Sequence, residues 1–225
     1  MIASDMDING NESINDILAI LRGEFSLLSE SDGYIARFNG VRNSVGKWNW
    51  ASDEMFSAIP FHHEINRFKR GRALKFRNLD EVMQRKAYAF GFNEDRLVLT
   101  MHPYEPGTQS GVECMVHSYE DGPSGTELMR YETSIQYPAE NFNPKLVATG
   151  SLQWIDAKTQ VDVRVGQDGA FSVAAYCYED GRVAYADRYA QGWNGQTRYD
   201  FVYGSDGCLD QILVGGVSWW RASRK

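Results

Sequence analysis

Four turn dipeptides divide the last third of the chain: Asp168-Gly169, Asp180-Gly181, Asn194-Gly195 and Asp206-Gly207. They recur every 12 to 14 residues and separate runs rich in Val, Tyr, Phe and Ala. Asp-Gly and Asn-Gly supply the positive φ angles that tight hairpins require. A train of such turns predicts strands joined in sequence order, hence an antiparallel meander. Evenly spaced hairpins leave two raw edges unless the sheet closes on itself, which predicts an all-β, up-and-down barrel.

The 225 residues, 43% hydrophobic, suffice for one large β domain. Residues 1–10 read as a disordered leader, and 11–225 as a single barrel domain. The formal net charge of −7 disfavours nonspecific binding to nucleic acid. No apolar run reaches the length of a membrane span. The acidic first residues lack the basic start of a secretion signal, which together with three unpatterned cysteines (Cys114, Cys177, Cys208) suggests a cytoplasmic protein with reduced core thiols.

Ile14, Ile17, Leu18 and Leu21 fall at i, i+3, i+4 and i+7, predicting one amphipathic helix over about 13–22, capped by Ser13 and ended at Gly23. A hairpin is expected from Glu24–Leu28 and Tyr34–Phe38 around Ser31-Asp32-Gly33, and a strand over Phe61–Phe68. About a dozen strands result, with Asn78–Gln84 as a short helical turn. Pro103–Gly111, rich in Gly, Pro and polar residues, reads as a flap.

Period-2 alternation sorts strand faces. In 182–190 one face carries Val183, Tyr185, Asp187 and Tyr189, the other Ala184, Ala186, Arg188 and Ala190. If the alanine face points inward, Arg188 stands alone in a thinned interior and needs an anion, such as a ligand carboxylate. Otherwise it faces solvent or pairs with Asp200. Tyrosines beside small residues leave room for a guest. The candidate ligand-binding set is Arg188, Tyr176, Tyr185, Tyr189, Tyr199 and Trp154.

All four histidines lie between positions 62 and 117. On a strand, His62 and His63 point to opposite faces, and no spacing matches a metal motif, so neither a metal nor another cofactor is expected. Proton transfer would fall to His102 or His117 beside a carboxylate such as Glu113 or Glu132, with Tyr131 or Tyr137 as donor. There is no G-x-S-x-G elbow, Walker loop or dinucleotide fingerprint. The basic run Arg67–Arg77 reads as a solvated hairpin face.

A leading helix, then Gly46-Lys47-Trp48, then a long antiparallel run, then Trp219-Trp220-Arg221, resembles the lipocalin-like (calycin) barrels. The resemblance implies that Gly46 and Trp48 close the barrel base and that Arg221 covers the indole. It also implies a carrier of hydrophobic molecules, a chromophore lyase, or a small isomerase or cyclase.

Three functions stay open: binding of a hydrophobic, aromatic or conjugated small molecule in the barrel; a cofactor-independent isomerase, cyclase or lyase of secondary metabolism on the same barrel; and a structural or interaction protein with a filled interior. The sequence does not fix the oligomeric state.

Overall fold

A computed structural model describes residues 7, 8, 10–30, 33–104, 111–122, 125–136 and 144–223. The chain opens with two helices, α1 (Glu12–Ser29) and α2 (Gly33–Ser44). Among the described residues, thirteen strands and two short α-helices follow: β1 (Lys47–Ala51), α3 (His62–Asn66), β2 (Ala73–Leu74), α4 (Leu79–Gln84), β3 (Tyr88–Asn93), β4 (Arg96–Tyr104), β5 (Gly111–Asp121), β6 (Glu127–Gln136), β7 (Lys145–Trp154), β8 (Thr159–Gly166), β9 (Phe171–Glu179), β10 (Arg182–Ala190), β11 (Thr197–Tyr203), β12 (Leu209–Val214) and β13 (Val217–Arg221).

All strands join one antiparallel sheet, ordered β13 back to β3 in sequence and then β1 and β2. The turn dipeptides do the joining. In the two-residue loop between β9 and β10, Asp180 and Gly181 both have positive φ (49° and 76°), the type I′ geometry that matches strand twist. The expected closure is absent: β2 and β13 are the two ends of the sheet and do not pair.

The sheet is nevertheless curled. Eleven strand intervals separate β13 from β1, about 53 Å in a flat sheet. Glu54 lies three residues past β1, at most about 10 Å away. The Glu54 carbonyl is 3.2 Å from His63 Nε2, and two residues on, the Ile65 carbonyl accepts a hydrogen bond from Trp219 Nε1 of β13 at 2.7 Å. That path is far shorter than a flat sheet permits. The segment 52–72 is therefore a strap across the concave face, packing Ile59 against Met129, Tyr131 and Leu152, and Phe61 against Phe201.

The helices cover the other face. Ile14, Ile17, Leu18 and Leu21 of α1 bury against Val161, Val163, Val165, Val173 and Ala175 of β8 and β9, each worth about 1.5–3 kcal/mol of burial. Ile8 is buried with them, while residues 1–6 and 9 of the proposed leader lie outside the described residues. Tyr34 and Phe38 of α2 pack on β4 and β5.

Several expectations are corrected here. Asn11 caps α1, its Oδ1 accepting from Ile14 N at 3.1 Å, and Gly23 sits inside the helix. The 24–28 and 34–38 runs are helical, because Phe25 and Leu28 extend the stripe of Leu18 and Leu21 by four and seven residues. Phe61–Phe68 is not a strand but α3 and its flanks, with Phe61 and Arg67 in left-handed backbone (φ 51° and 58°). The basic run therefore lies on the strap and β2, where Arg67 stands over the Trp219 ring and Arg70 pairs with Glu64 at 3.1 Å. Cys208 is exposed in the β11–β12 turn, unlike the buried thiols Cys114 and Cys177. Trp48 stacks on Trp50, and Arg221 donates to Gln211 Oε1, so the implied Arg–Trp closure is not formed among the described residues. Residues 105–110 of the proposed flap lie outside the described residues. No helix among those described is long and apolar enough to cross a membrane.

Candidate functional site

Between strap and concave face lies a cleft of two adjoining lobes that share lining residues. The first, about 280 Å³, is lined by Arg164, Arg188, Tyr176, Asp162, Asn66 and Trp193 among others. The second, about 310 Å³, is lined chiefly by Phe56, Tyr88, Leu97, Met115, His102 and His117. Ile59, His62, Phe68, Met115, Tyr131 and Arg164 border both.

Strand register builds the floor. His117 of β5 lies opposite Tyr131 of β6, Tyr131 opposite Gly150 of β7, and Gly150 opposite Arg164 of β8. One row across four strands thus points its side chains into the cleft. The Tyr131 ring lies over Gly150, in the space a Cβ would need, and its hydroxyl donates to Asp162 Oδ1 at 2.7 Å. Burial, then the Asp162 charge, push the Tyr131 phenol far above its ordinary value. Burial raises the Asp162 carboxyl too, although Tyr131 and Arg164 work against it.

The other charges are largely neutralised in place. Burial would raise the Glu113 carboxyl, but His102 Nε2 at 3.1 Å outweighs it and holds the carboxyl below its usual range. Burial opposes the imidazolium in turn, and Glu113 overrides it, raising His102. His102 Nδ1 meets the Pro103 carbonyl at 2.9 Å, so both nitrogens face acceptors, an arrangement that the imidazolium satisfies with its two N–H donors. The ring also stacks on Tyr88 at 4.8 Å. Glu54 is matched by His62 Nε2 at 3.2 Å; burial would raise its carboxyl, but the histidines around it lower it.

The guanidinium of Arg164 is different. No hydrogen bond or ion pair reaches it among the described residues. Arg188 makes one hydrogen bond, Nη1 to Asn66 Oδ1 at 3.2 Å, and lies 5.9 Å from the Tyr199 ring. Neither arginine has a carboxylate within ion-pair distance among the described residues, Asp200 included.

His117 is a further unmatched group: it is 3% exposed, and neither ring nitrogen has a partner among the described residues. Burial pushes its pKa down to about 4, so the ring is neutral.

Of the proposed catalytic residues, His102 meets the alternative carboxylate Glu113, but Glu132 does not join them. His102 and His117 face the second lobe, but Glu132 projects from the opposite side of the sheet, since β5–β6 register puts it beside Val116 rather than His117. There it pairs with Arg37 of α2 at 3.2 Å, and burial raises its carboxyl to about 7. Tyr137 lies outside the described residues.

The ligand-binding set also divides. Arg188 and Tyr176 line the first lobe, and Tyr199 backs Arg188. Tyr185 is on the helix-side face, under the Arg198 guanidinium that binds Asp187 in bidentate fashion at 2.9 and 2.7 Å. Tyr189 borders the first lobe, but its ring packs on Phe171. Trp154 packs on Tyr178 and lines neither lobe.

Residues that sequence reasoning passed over are Arg164, Asp162 and the strap residues Ile59 and Phe68. Asp162 and Arg164 alternate with Val161, Val163 and Val165, so they read as an ordinary solvent face. No group of three or more His, Cys, Asp or Glu among the described residues is placed to hold a metal ion. Comparison with known proteins adds no relative: no family model, no curated protein and no solved structure matches the chain.

Proposed function

We propose that the protein binds a small aromatic carboxylic acid in this cleft, with the carboxylate on Arg164 and Arg188 and the apolar body in the lobe of Phe56, Tyr88, Leu97 and Met115. The observation that carries the reading is the Arg164 guanidinium, unpaired among the described residues at the junction of both lobes. A half-buried guanidinium without a protein partner favours an anion or several acceptors. Glu113 and Glu54 have their hydrogen-bonding partners in His102 and His62, and Asp162 is bonded by the Tyr131 hydroxyl, so no carboxylate of the cleft lies within ion-pair distance of either arginine among the described residues. An anionic guest completes the balance, and the planar fork suits a carboxylate. The curled sheet and strap do the enclosing that a closed barrel would do.

Isothermal titration with benzoate, cinnamate and 2-naphthoate against their primary amides tests this. The acids are expected to bind about ten- to a hundredfold more tightly than the amides, the range of a charge-assisted pair. Arg164→Gln is expected to erase that preference. Equal affinity for acid and amide, or no binding by any acid, refutes the proposal.

A further inference from the structure

Resting on the aromatic-acid reading, we propose that the ligand also carries a hydroxyl seated on His117. The cleft would then take a hydroxylated aromatic carboxylic acid whose two polar ends lie on opposite sides of the Tyr131 ring.

His117 is enclosed, and both its nitrogens lack partners among the described residues, in a lobe walled by Met115, Leu97 and Phe56. An unpaired buried polar group costs folding free energy and calls for an explanation. A neutral imidazole presents one donor and one acceptor. A hydroxyl can meet whichever ring nitrogen faces the lobe, accepting from the N–H or donating to the bare nitrogen, whereas a carboxylate serves only the first and an ammonium only the second. Burial holds His117 in this neutral form. The other two histidines of the lobe do not compete for the hydroxyl: Pro103 and Glu113 engage both nitrogens of His102, and Asn66 and Glu54 engage those of His62.

The register supplies the length. His117 and Arg164 stand in one row, three strand intervals apart, about 14 Å along the backbone. Both side chains reach inward across a concave surface, so the gap between their polar atoms is shorter. One or two fused aromatic rings span it, with Tyr131 beneath. A hydroxyl at the far end from the carboxylate then arrives at His117 while the carboxylate sits on Arg164.

Titration of the full chain with hydroxylated and unhydroxylated pairs of increasing length tests the proposal: 4-hydroxybenzoate and benzoate, 4-hydroxycinnamate and cinnamate, 6-hydroxy-2-naphthoate and 2-naphthoate. At least one hydroxylated member is expected to bind about tenfold more tightly than its partner. His117→Leu is expected to abolish that preference, and His117→Gln, which keeps a donor and an acceptor, to retain much of it. In the unaltered protein, the His117 imidazole ¹⁵N shifts should move with the hydroxylated acid and not with its partner, a readout independent of whether the variants fold. Equal affinities within every pair, a preference that survives His117→Leu, or unmoved imidazole shifts overturn the hydroxyl seat. If acids still outbind their amides in those cases, the carboxylate reading stands; if no acid binds, both fall.

Discussion

Tyr131 holds the two lobes together, and it can do so only because residue 150 is glycine. A Cβ there would fall inside the phenol ring. Gly150→Ala must push the ring off its seat and break the bond to Asp162, which costs about 1–3 kcal/mol as overpacking in a tight site. Urea denaturation measures this. In a Tyr131→Leu background, where no ring occupies the space, the same alanine should cost much less. An equal cost in both backgrounds would mean that the ring is not what excludes the methyl. Such a constraint is invisible along the chain, because Tyr131 and Gly150 become neighbours only once β6 and β7 pair. The pairing partner decides the meaning of the glycine.

At the scale of elements, α1 runs through Gly23 and α2 through Gly40, and a Cβ at either meets nothing within 4 Å. Glycine inside a helix costs roughly 0.5–1 kcal/mol relative to alanine through backbone entropy. Gly23→Ala and Gly40→Ala should therefore each stabilise the protein by that amount, additively, as raised midpoints in thermal or denaturant unfolding. A loss of stability at either position would count against an uninterrupted helix there. The same stretch marks the limit of what the sequence discloses. Glycines at 23 and 33 and a Ser-Asp-Gly run resemble turn punctuation, and they outweighed the continuing apolar spacing of Phe25 and Leu28. The hairpins from β8 onward were legible because Asp-Gly and Asn-Gly act locally, on two residues at a time. Alternation in β10 left Arg188 open between an inward face and solvent, and Arg188 lines the first lobe. Arg164, the strap and the open edges were not legible. They depend on pairings across the sheet, and the strap covers the cleft through contacts up to 154 residues apart in sequence, as in Trp219 to Ile65.

For the whole molecule, two buried groups on opposite faces of one sheet set opposing pH dependences. Burial lowers His117 to about 4 from an unfolded value near 6.5, so the unfolded chain binds the extra proton between those limits. Its contribution to stability is complete above pH 6.5 and is lost as the pH falls toward 4. Burial raises Glu132 to about 7 from about 4.5, with Arg37 only partly offsetting it, so here the folded chain holds the extra proton. That contribution is complete below pH 4.5 and is lost as the pH rises through 7. Each has a limiting slope of about 1.4 kcal/mol per pH unit, and between about pH 4.5 and 6.5 they run against each other. Glu113 and Glu54, both lowered, act below about 4.5, and His102, raised, acts above about 6.5, so the window is little disturbed by them. Asp162, raised from 3.8, adds to the Glu132 side. Stability of the unaltered protein across the window should thus change little or fall gently with pH. Glu132→Gln should turn this into a rise and His117→Leu into a steeper fall, each by a few kcal/mol in total across the window, as read from urea midpoints at half-unit intervals. Parallel profiles for all three proteins would show that neither group is held away from its unfolded protonation, and hence that neither face excludes water as the fold requires.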